Sequence, residues 1–221
     1  MLRGSLYNPS GRQCRLFAIN AMATITISRQ MGSLGREVAG AVGARLGYRV
    51  VWRELINQAA LRAGQPEVAL AAIDELGLLG LSPATAAVES YNRAVRAVME
   101  ELAAGGNVIL VGRAGQMILR GRPGVLHVRI VAPERVRAAR VARQHGVSLD
   151  AALAQVQASD RNRRDYLKRF HHCRWDDPDL YDLIVNTARL TVEAAADIIC
   201  SAVARGMPCV ADSDPGDDTI S

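Results

Sequence analysis

Short apolar runs alternate along the chain with longer stretches of helical periodicity. The first run, 24–28, carries Ile25 and Ile27 and predicts a short buried strand. Val38, Val42 and Leu46 then recur at fourfold spacing, which predicts a helix over 35–46 stopped by Gly47. Residues 48–52 predict a second strand, and helical patterns follow at 54–63, 66–80 and 83–104, the last closed by Gly105 and Gly106. Residues 107–111 and 125–131 predict two more buried strands, with a short helix at 116–119 between them. An Arg-rich helix starts at Pro133 and ends at Gly146, and Ser148 is placed to cap a helix that begins at Leu149. Residues 171–180 are polar, contain Pro178 and predict a loop; 181–185 predict a last strand, and Thr191 caps a final helix to about 205.

Apolar strands of four or five residues separated by helices predict an α/β fold with a parallel sheet of about five strands. Residues 53–105 read as a helical insert between two of those strands. In such sheets ligands sit beyond the carboxyl ends of the strands. The polar residues that follow strands are therefore the candidates: 32–36, Arg53, Arg113, Asn186 and Thr187.

Residues 23–39 combine strand, glycine turn and helix, a geometry that presents backbone N–H groups and a helix N-terminus to a phosphate. The turn departs from the P-loop pattern G-x-x-x-x-G-K-[ST]. With Gly35 as the second glycine, Gln30 stands at the first, Arg36 at the lysine and Glu37 at the hydroxyl residue. A strand-to-helix turn with glycines for tight packing has the same spelling. A phosphate cradle needs only backbone N–H groups and positive charge, which Arg36 can supply. Glu37 is an unusual substitute for a hydroxyl ligand of magnesium.

Arg113 follows Gly112 just past a buried strand and is either a phosphate contact or a surface arginine on a loop. Arg161, Arg163, Arg164, Lys168 and Arg169 fall within ten residues; such a run reads as a solvated helix face or as a clamp over a transferring phosphoryl group. Arg135, Arg137, Arg140 and Arg143 are spaced by two and three, make no single stripe and predict a solvated face. No aromatic platform accompanies them, so nucleic acid is not the expected partner. His171, His172 and Cys173 are contiguous, a poor chelate geometry, and predict a loop and no metal site.

Composition narrows the picture. The 221 residues suit one domain with an inserted subdomain; 49% are hydrophobic but only 4% aromatic, so the core must be built from Ala, Val, Leu and Ile. The net charge is +5, and Lys168 is the only lysine among the 27 basic residues, which favours bidentate contacts to an anionic ligand. Cys14, Cys173, Cys200 and Cys209 show no CxxC, which argues for a reducing, cytoplasmic location. No apolar run reaches the roughly 18 residues of a membrane span. Residues 1–21 are expected to be a disordered extension or a misplaced start ahead of Met22, and 206–221, with Asp212, Asp214, Asp217 and Asp218, a disordered acidic tail.

Six segments, in this order, resemble the cytidylate-kinase-like family of P-loop nucleoside monophosphate kinases. They are Ile25-Thr-Ile-Ser-Arg-Gln-Met-Gly-Ser-Leu-Gly-Arg-Glu37, Trp52-Arg-Glu-Leu-Ile56, Val111-Gly-Arg-Ala-Gly115, Val128-Arg-Ile-Val-Ala-Pro-Glu-Arg-Val-Arg137, Asp160-Arg-Asn-Arg-Arg-Asp-Tyr166 and Tyr181-Asp-Leu-Ile-Val-Asn-Thr187. The resemblance covers residues 23–204. It implies one kinase-like domain over 22–205, with the insert at 53–105 binding the monophosphate and a helical lid at 155–175. Gln30, Met31, Gly32, Ser33, Leu34, Gly35, Arg36 and Glu37 would hold the phosphates of ATP with Mg²⁺, and Asn186 and Thr187 would lie near the donor base. Arg53 and Arg113 would face the acceptor phosphate. Asp160, Arg161 and Arg163 would belong to the lid, with both arginines bridging donor and acceptor. The implied activity is ATP-dependent phosphoryl transfer to a nucleoside monophosphate, CMP or dCMP, with Arg36, Arg161 and Arg163 as the catalytic charges. Two departures keep alternatives open. The P-loop lysine is absent, which suits a nucleotide-binding regulatory module with little turnover. Ala114 replaces an acid of the authentic cytidylate kinases, which suits a non-nucleotide acceptor.

Overall fold

The computed structural model describes residues 23–52 and 85–205. The expected helices at 54–63 and 66–80, Arg53, and both terminal segments lie outside the described residues.

Five parallel strands form one sheet in the order β2-β3-β1-β4-β5. They are β1 (Thr24–Arg29), β2 (Arg49–Trp52), β3 (Val108–Val111), β4 (Val125–Val131) and β5 (Leu183–Asn186). The helices are α1 (Gly35–Leu46), α2 (Thr85–Ala104), α3 (Gly115–Ile118), α4 (Glu134–His145), α5 (Leu149–His171) and α6 (Val192–Ala204). Expected boundaries and observed ones agree to within two residues for most elements, and the side chains of Ser148 and Thr191 cap α5 and α6 as their positions predict.

The sheet is covered on both faces, which is why β3 is a continuous run of Val, Ile and Leu. Ile25, Ile27, Ile109, Val128 and Ile130 pack under α1 and α6 with Val38, Val42 and Ile199. The opposite face packs Val51, Val108 and Leu110 against Val95 and Met99 of α2 and against Ile118. On that second face β1 carries Thr24, Thr26 and Ser28, all buried. Each hydroxyl has a partner. Thr24 Oγ1 donates to the Ala103 carbonyl at 3.3 Å, Thr26 Oγ1 meets His127 Nδ1 at 2.7 Å, and Ser28 Oγ accepts from Trp175 Nε1 at 3.0 Å.

β1 lies at the centre, paired with β3 on one side and β4 on the other. From β1 the chain builds the sheet in both directions, so its carboxyl end opens on a crevice of the kind that holds ligands in doubly wound sheets. Arg29 ends β1, Gly112 follows β3, Ala132 follows β4 and Thr187 follows β5.

Candidate functional site

Between β1 and α1 the chain makes a tight turn. Ser33 closes it by donating both N–H (3.3 Å) and Oγ–H (2.8 Å) to the Gln30 carbonyl. Gly32 sits at φ 75°, and a Cβ there would meet the Arg137 carbonyl oxygen at 2.7 Å, so this position needs glycine for conformation and for space. Leu34 at φ 60° leads into α1 with no capping side chain. The N–H groups of the first turn of α1 therefore face outward without intrahelical acceptors. Gln30 turns its side chain inward instead, its Oε1 accepting from Ala132 N at 3.0 Å.

Two arginines of α4 hold the turn from beneath. Arg137 Nη1 donates to the Met31 carbonyl at 3.3 Å and Arg140 Nη1 to the Gly32 carbonyl at 3.3 Å. A peptide unit is planar and trans, so fixing the Met31 carbonyl toward α4 points the Gly32 N–H away from it. Thr187 completes the support: fully buried, it donates from Oγ1 to the Ser33 carbonyl at 2.8 Å and accepts from Arg140 at 3.1 Å. The expectation of a solvated arginine face on α4 is thus corrected. Arg137 and Arg140 are three residues apart and share a helix face turned to the sheet end, with Arg137 buried, while Arg135 and Arg143 are exposed.

Beside the turn lies a cavity of about 380 Å³ between the ends of β1 and β3 and the inner face of α5. Arg29, Arg113 and Arg163 all line it, with Gln116, Asn162, Tyr166 and Trp175 among the other walls. No Asp or Glu is among its described lining residues. Arg113 is only 8% exposed and sits in a run of three left-handed residues, Gly112 (φ 89°), Arg113 (φ 52°) and Ala114 (φ 52°). Two consecutive non-glycine residues in that region store backbone strain of about 1–3 kcal/mol each, the kind of cost that gathers at ligand sites. Arg163 lies back on its own helix, bonded to the carbonyl (3.1 Å) and the hydroxyl of Ser159.

The lid expected at 155–175 is the carboxyl-terminal part of one continuous helix, α5, and the loop after it. Asp160 is buried in that helix, and its carboxylate pairs with Arg137 at 2.8 Å. It is not among the described residues lining the cavity, and its side chain ties α5 to α4. Arg161 is exposed and also lies outside the cavity lining. Arg36 is exposed and stacks over Trp52 at 4.7 Å, which holds its charge beside the turn. Glu37 is exposed in the first turn of α1. Asn186, exposed at the end of β5, accepts from Ala188 N at 2.9 Å.

One wall of the cavity was not foreseen from sequence. Arg129, buried in β4, donates from Nη1 to the Trp175 carbonyl and, at 3.1 Å, to the Tyr181 hydroxyl. Its guanidinium also lies 4.4 Å from the centre of the Trp175 ring. Tyr181 in turn receives Gln116 Nε2 at 3.3 Å. Burial pushes the Tyr181 phenol above its usual range, so it stays protonated and polar. The signal for this wall is the alternation in β4: a strand buried on both faces that carries His127 and Arg129 at period two must find partners for them. The expected His171-His172-Cys173 loop begins while α5 is still helical at His171, and the described residues contain no group of three or more His, Cys, Asp or Glu suited to a metal. Among the described residues no helix is long and apolar enough to cross a membrane, and Cys173 and Cys200 are free thiols.

A family model described as the cytidylate kinase-like family matches residues 24–189. A cytidylate kinase of Methanocaldococcus jannaschii is 32% identical over 105 residues, 47% of this chain and 59% of that protein. A protein named uronate isomerase from Corynebacterium glutamicum is 26% identical over 156 residues, 71% of this chain and 30% of its own. The chain therefore spans less than two thirds of the length of these curated relatives. Among solved structures, an uncharacterized protein from Eubacterium ventriosum superposes with a TM-score of 0.64 at 21% identity, covering 81% of this chain and 96% of that one, a likeness of fold.

Proposed function

The chain belongs to the cytidylate kinase-like family, and from that membership we propose that it transfers a phosphoryl group from ATP to a nucleoside monophosphate, with CMP or dCMP as the acceptor. The observation that carries this reading is the cavity with Arg29, Arg113 and Arg163 on its walls. Three guanidinium groups converging on one cavity favour an anionic ligand such as a phosphate. The cytidylate kinase name of the Methanocaldococcus relative supports the choice of acceptor.

In the reaction an acceptor phosphate oxygen, already ionised near neutral pH, bonds to the γ-phosphorus. The bond to the β–γ bridging oxygen breaks, and its electron pair leaves with ADP. No proton has to move, so the chain's task is to position and to stabilise charge. The turn around Gly32 to Arg36 offers backbone N–H groups to the donor phosphates. Arg113 faces the acceptor phosphate and Arg163 swings from Ser159 to bridge the two. Arg36 and Arg161 add positive charge at the rim, and Asn186 lies on the side of the donor base. A magnesium ion bound with the nucleotide would supply neutralisation of phosphate charge. Such an ion needs only one or two carboxylates besides phosphate and water, and the exposed Glu37 in the first turn of α1 fits that demand.

Ala114 on the cavity wall, with no side-chain acceptor for an exocyclic amine, also favours a second reading, a phosphorylated or anionic small molecule as acceptor. Assaying ADP formation with a panel of nucleoside monophosphates and small anionic alcohols separates the two. Turnover with CMP or dCMP upholds the first, turnover with a non-nucleotide alone upholds the second, and nucleotide binding with no turnover for any acceptor leaves a regulatory nucleotide-binding module.

A further inference from the structure

The missing P-loop lysine leaves open which group places positive charge between the two phosphates. Arg29 is the last residue of β1, the central strand, and it lines the cavity. Its side chain has a defined course. A Cβ built on Gly35 would meet Arg29 Cβ at 2.6 Å, Cγ at 3.1 Å and Cδ at 3.5 Å, so the stem lies across the first residue of α1. A Cβ built on Gly112 would meet Arg29 Nη1 at 3.1 Å, so the guanidinium lies over the first residue after β3. The stem thus crosses the phosphate turn and the head arrives at the turn that carries Arg113. Two glycines, one opening α1 and one in the turn after β3, make room for one arginine.

We propose that Arg29 supplies the charge between donor and acceptor phosphates, in the role a P-loop lysine would otherwise fill. The inference rests on the phosphotransferase reading above. A lysine after the glycine turn would project from the helix N-terminus, on the donor side. Arg29 instead reaches the same gap from the strand below, held by packing along its stem. Arg36 is stacked on Trp52 and exposed, which leaves Arg29 as the arginine whose course joins the two turns. A group fixed at the gap stabilises charge that shifts during transfer, so its loss acts on turnover more than on binding of either substrate.

The test compares Arg29→Met, which keeps an apolar stem on Gly35, with Arg29→Lys, which keeps a charge, and with Arg143→Ala on the exposed end of α4. Melting curves verify that each variant is folded. Arg29→Met is expected to lower kcat by about 10²–10³-fold while the KM values for ATP and acceptor change by less than about fivefold, and Arg29→Lys to recover at least about tenfold of that loss; Arg143→Ala is expected to match the wild type. A kcat for Arg29→Met within about threefold of wild type overturns the proposal, as does a loss confined to KM, or an Arg29→Lys variant as slow as Arg29→Met. If the wild type turns over no acceptor, the phosphotransferase reading fails by itself. Titration with inorganic pentaphosphate, long enough to span donor and acceptor sites and so to occupy the gap that neither substrate fills alone, then decides on Arg29: binding weakened at least about tenfold in Arg29→Met supports its place between the phosphates, and equal binding overturns it.

Discussion

At Thr187 one hydroxyl joins three elements: it donates to the Ser33 carbonyl in the glycine turn and accepts from Arg140 of α4 at the end of β5. Thr187→Val keeps the shape and leaves a buried carbonyl and a guanidinium N–H unpartnered. That is expected to cost about 1–3 kcal/mol of unfolding free energy, measured by urea denaturation; a change under about 0.5 kcal/mol would be too small for a buried partner. From sequence, Thr187 was visible as a polar residue after a strand, but its inward direction was not, because direction depends on which helix packs below. His127 and His171 set a second expectation at this scale. Burial lowers both imidazoles from their usual range, ahead of the charges of Asp182 and Arg120 around the first and of Arg96 and His172 around the second. The unfolded chain then binds protons that the folded chain refuses. Stability is full above the unfolded value near 6.5 and falls as pH drops through it. His127→Asn retains a polar partner for Thr26 and is expected to flatten the slope of stability between about pH 7.5 and 5; an unchanged slope would show that His127 is not the group involved.

Among the elements, α4 and α5 are joined by the buried pair Arg137–Asp160, at 2.8 Å, and Arg137 reaches on to the Met31 carbonyl. The helix that carries Arg163 is therefore anchored, through one guanidinium, to the turn that would hold the donor. Removing one partner leaves a buried charge, which costs about 3–5 kcal/mol. Arg137→Met and Asp160→Leu alone are each expected to lose that much, and the double variant far less than their sum. Additive losses in a double-mutant cycle would contradict the pairing. The strands and helices themselves were largely legible, since apolar runs such as 107–111 and the fourfold spacing of Val38, Val42 and Leu46 carry their own period. The arginines of α4 were not. Their spacing fixes which residues share a face but not whether that face meets solvent or the carbonyls of another turn.

For the molecule as a whole, the strand order β2-β3-β1-β4-β5 brings together residues far apart in the chain. Arg29, Arg113 and Arg163 meet in one cavity because β1 is flanked by β3 and because α5 crosses over their ends. Position after a strand named Arg113 and the family resemblance named Arg163, but both passed over Arg29, whose neighbours Gln30 to Glu37 drew attention as the glycine turn. Trp175 was hidden for a different reason: it comes from a polar loop, and only its packing on Arg129, which Tyr181 also bonds, makes it a wall. The proposed binding of an acceptor phosphate in this arginine cavity can be read from steady-state kinetics with CMP. Arg113→Ala is expected to lower kcat/KM for CMP by about 10–150-fold, the loss of one charge-assisted phosphate contact, while the KM for ATP stays near that of the wild type. An Arg113→Ala enzyme with unchanged kcat/KM for CMP, or with its loss confined to ATP, would rule out Arg113 as a contact of the acceptor phosphate.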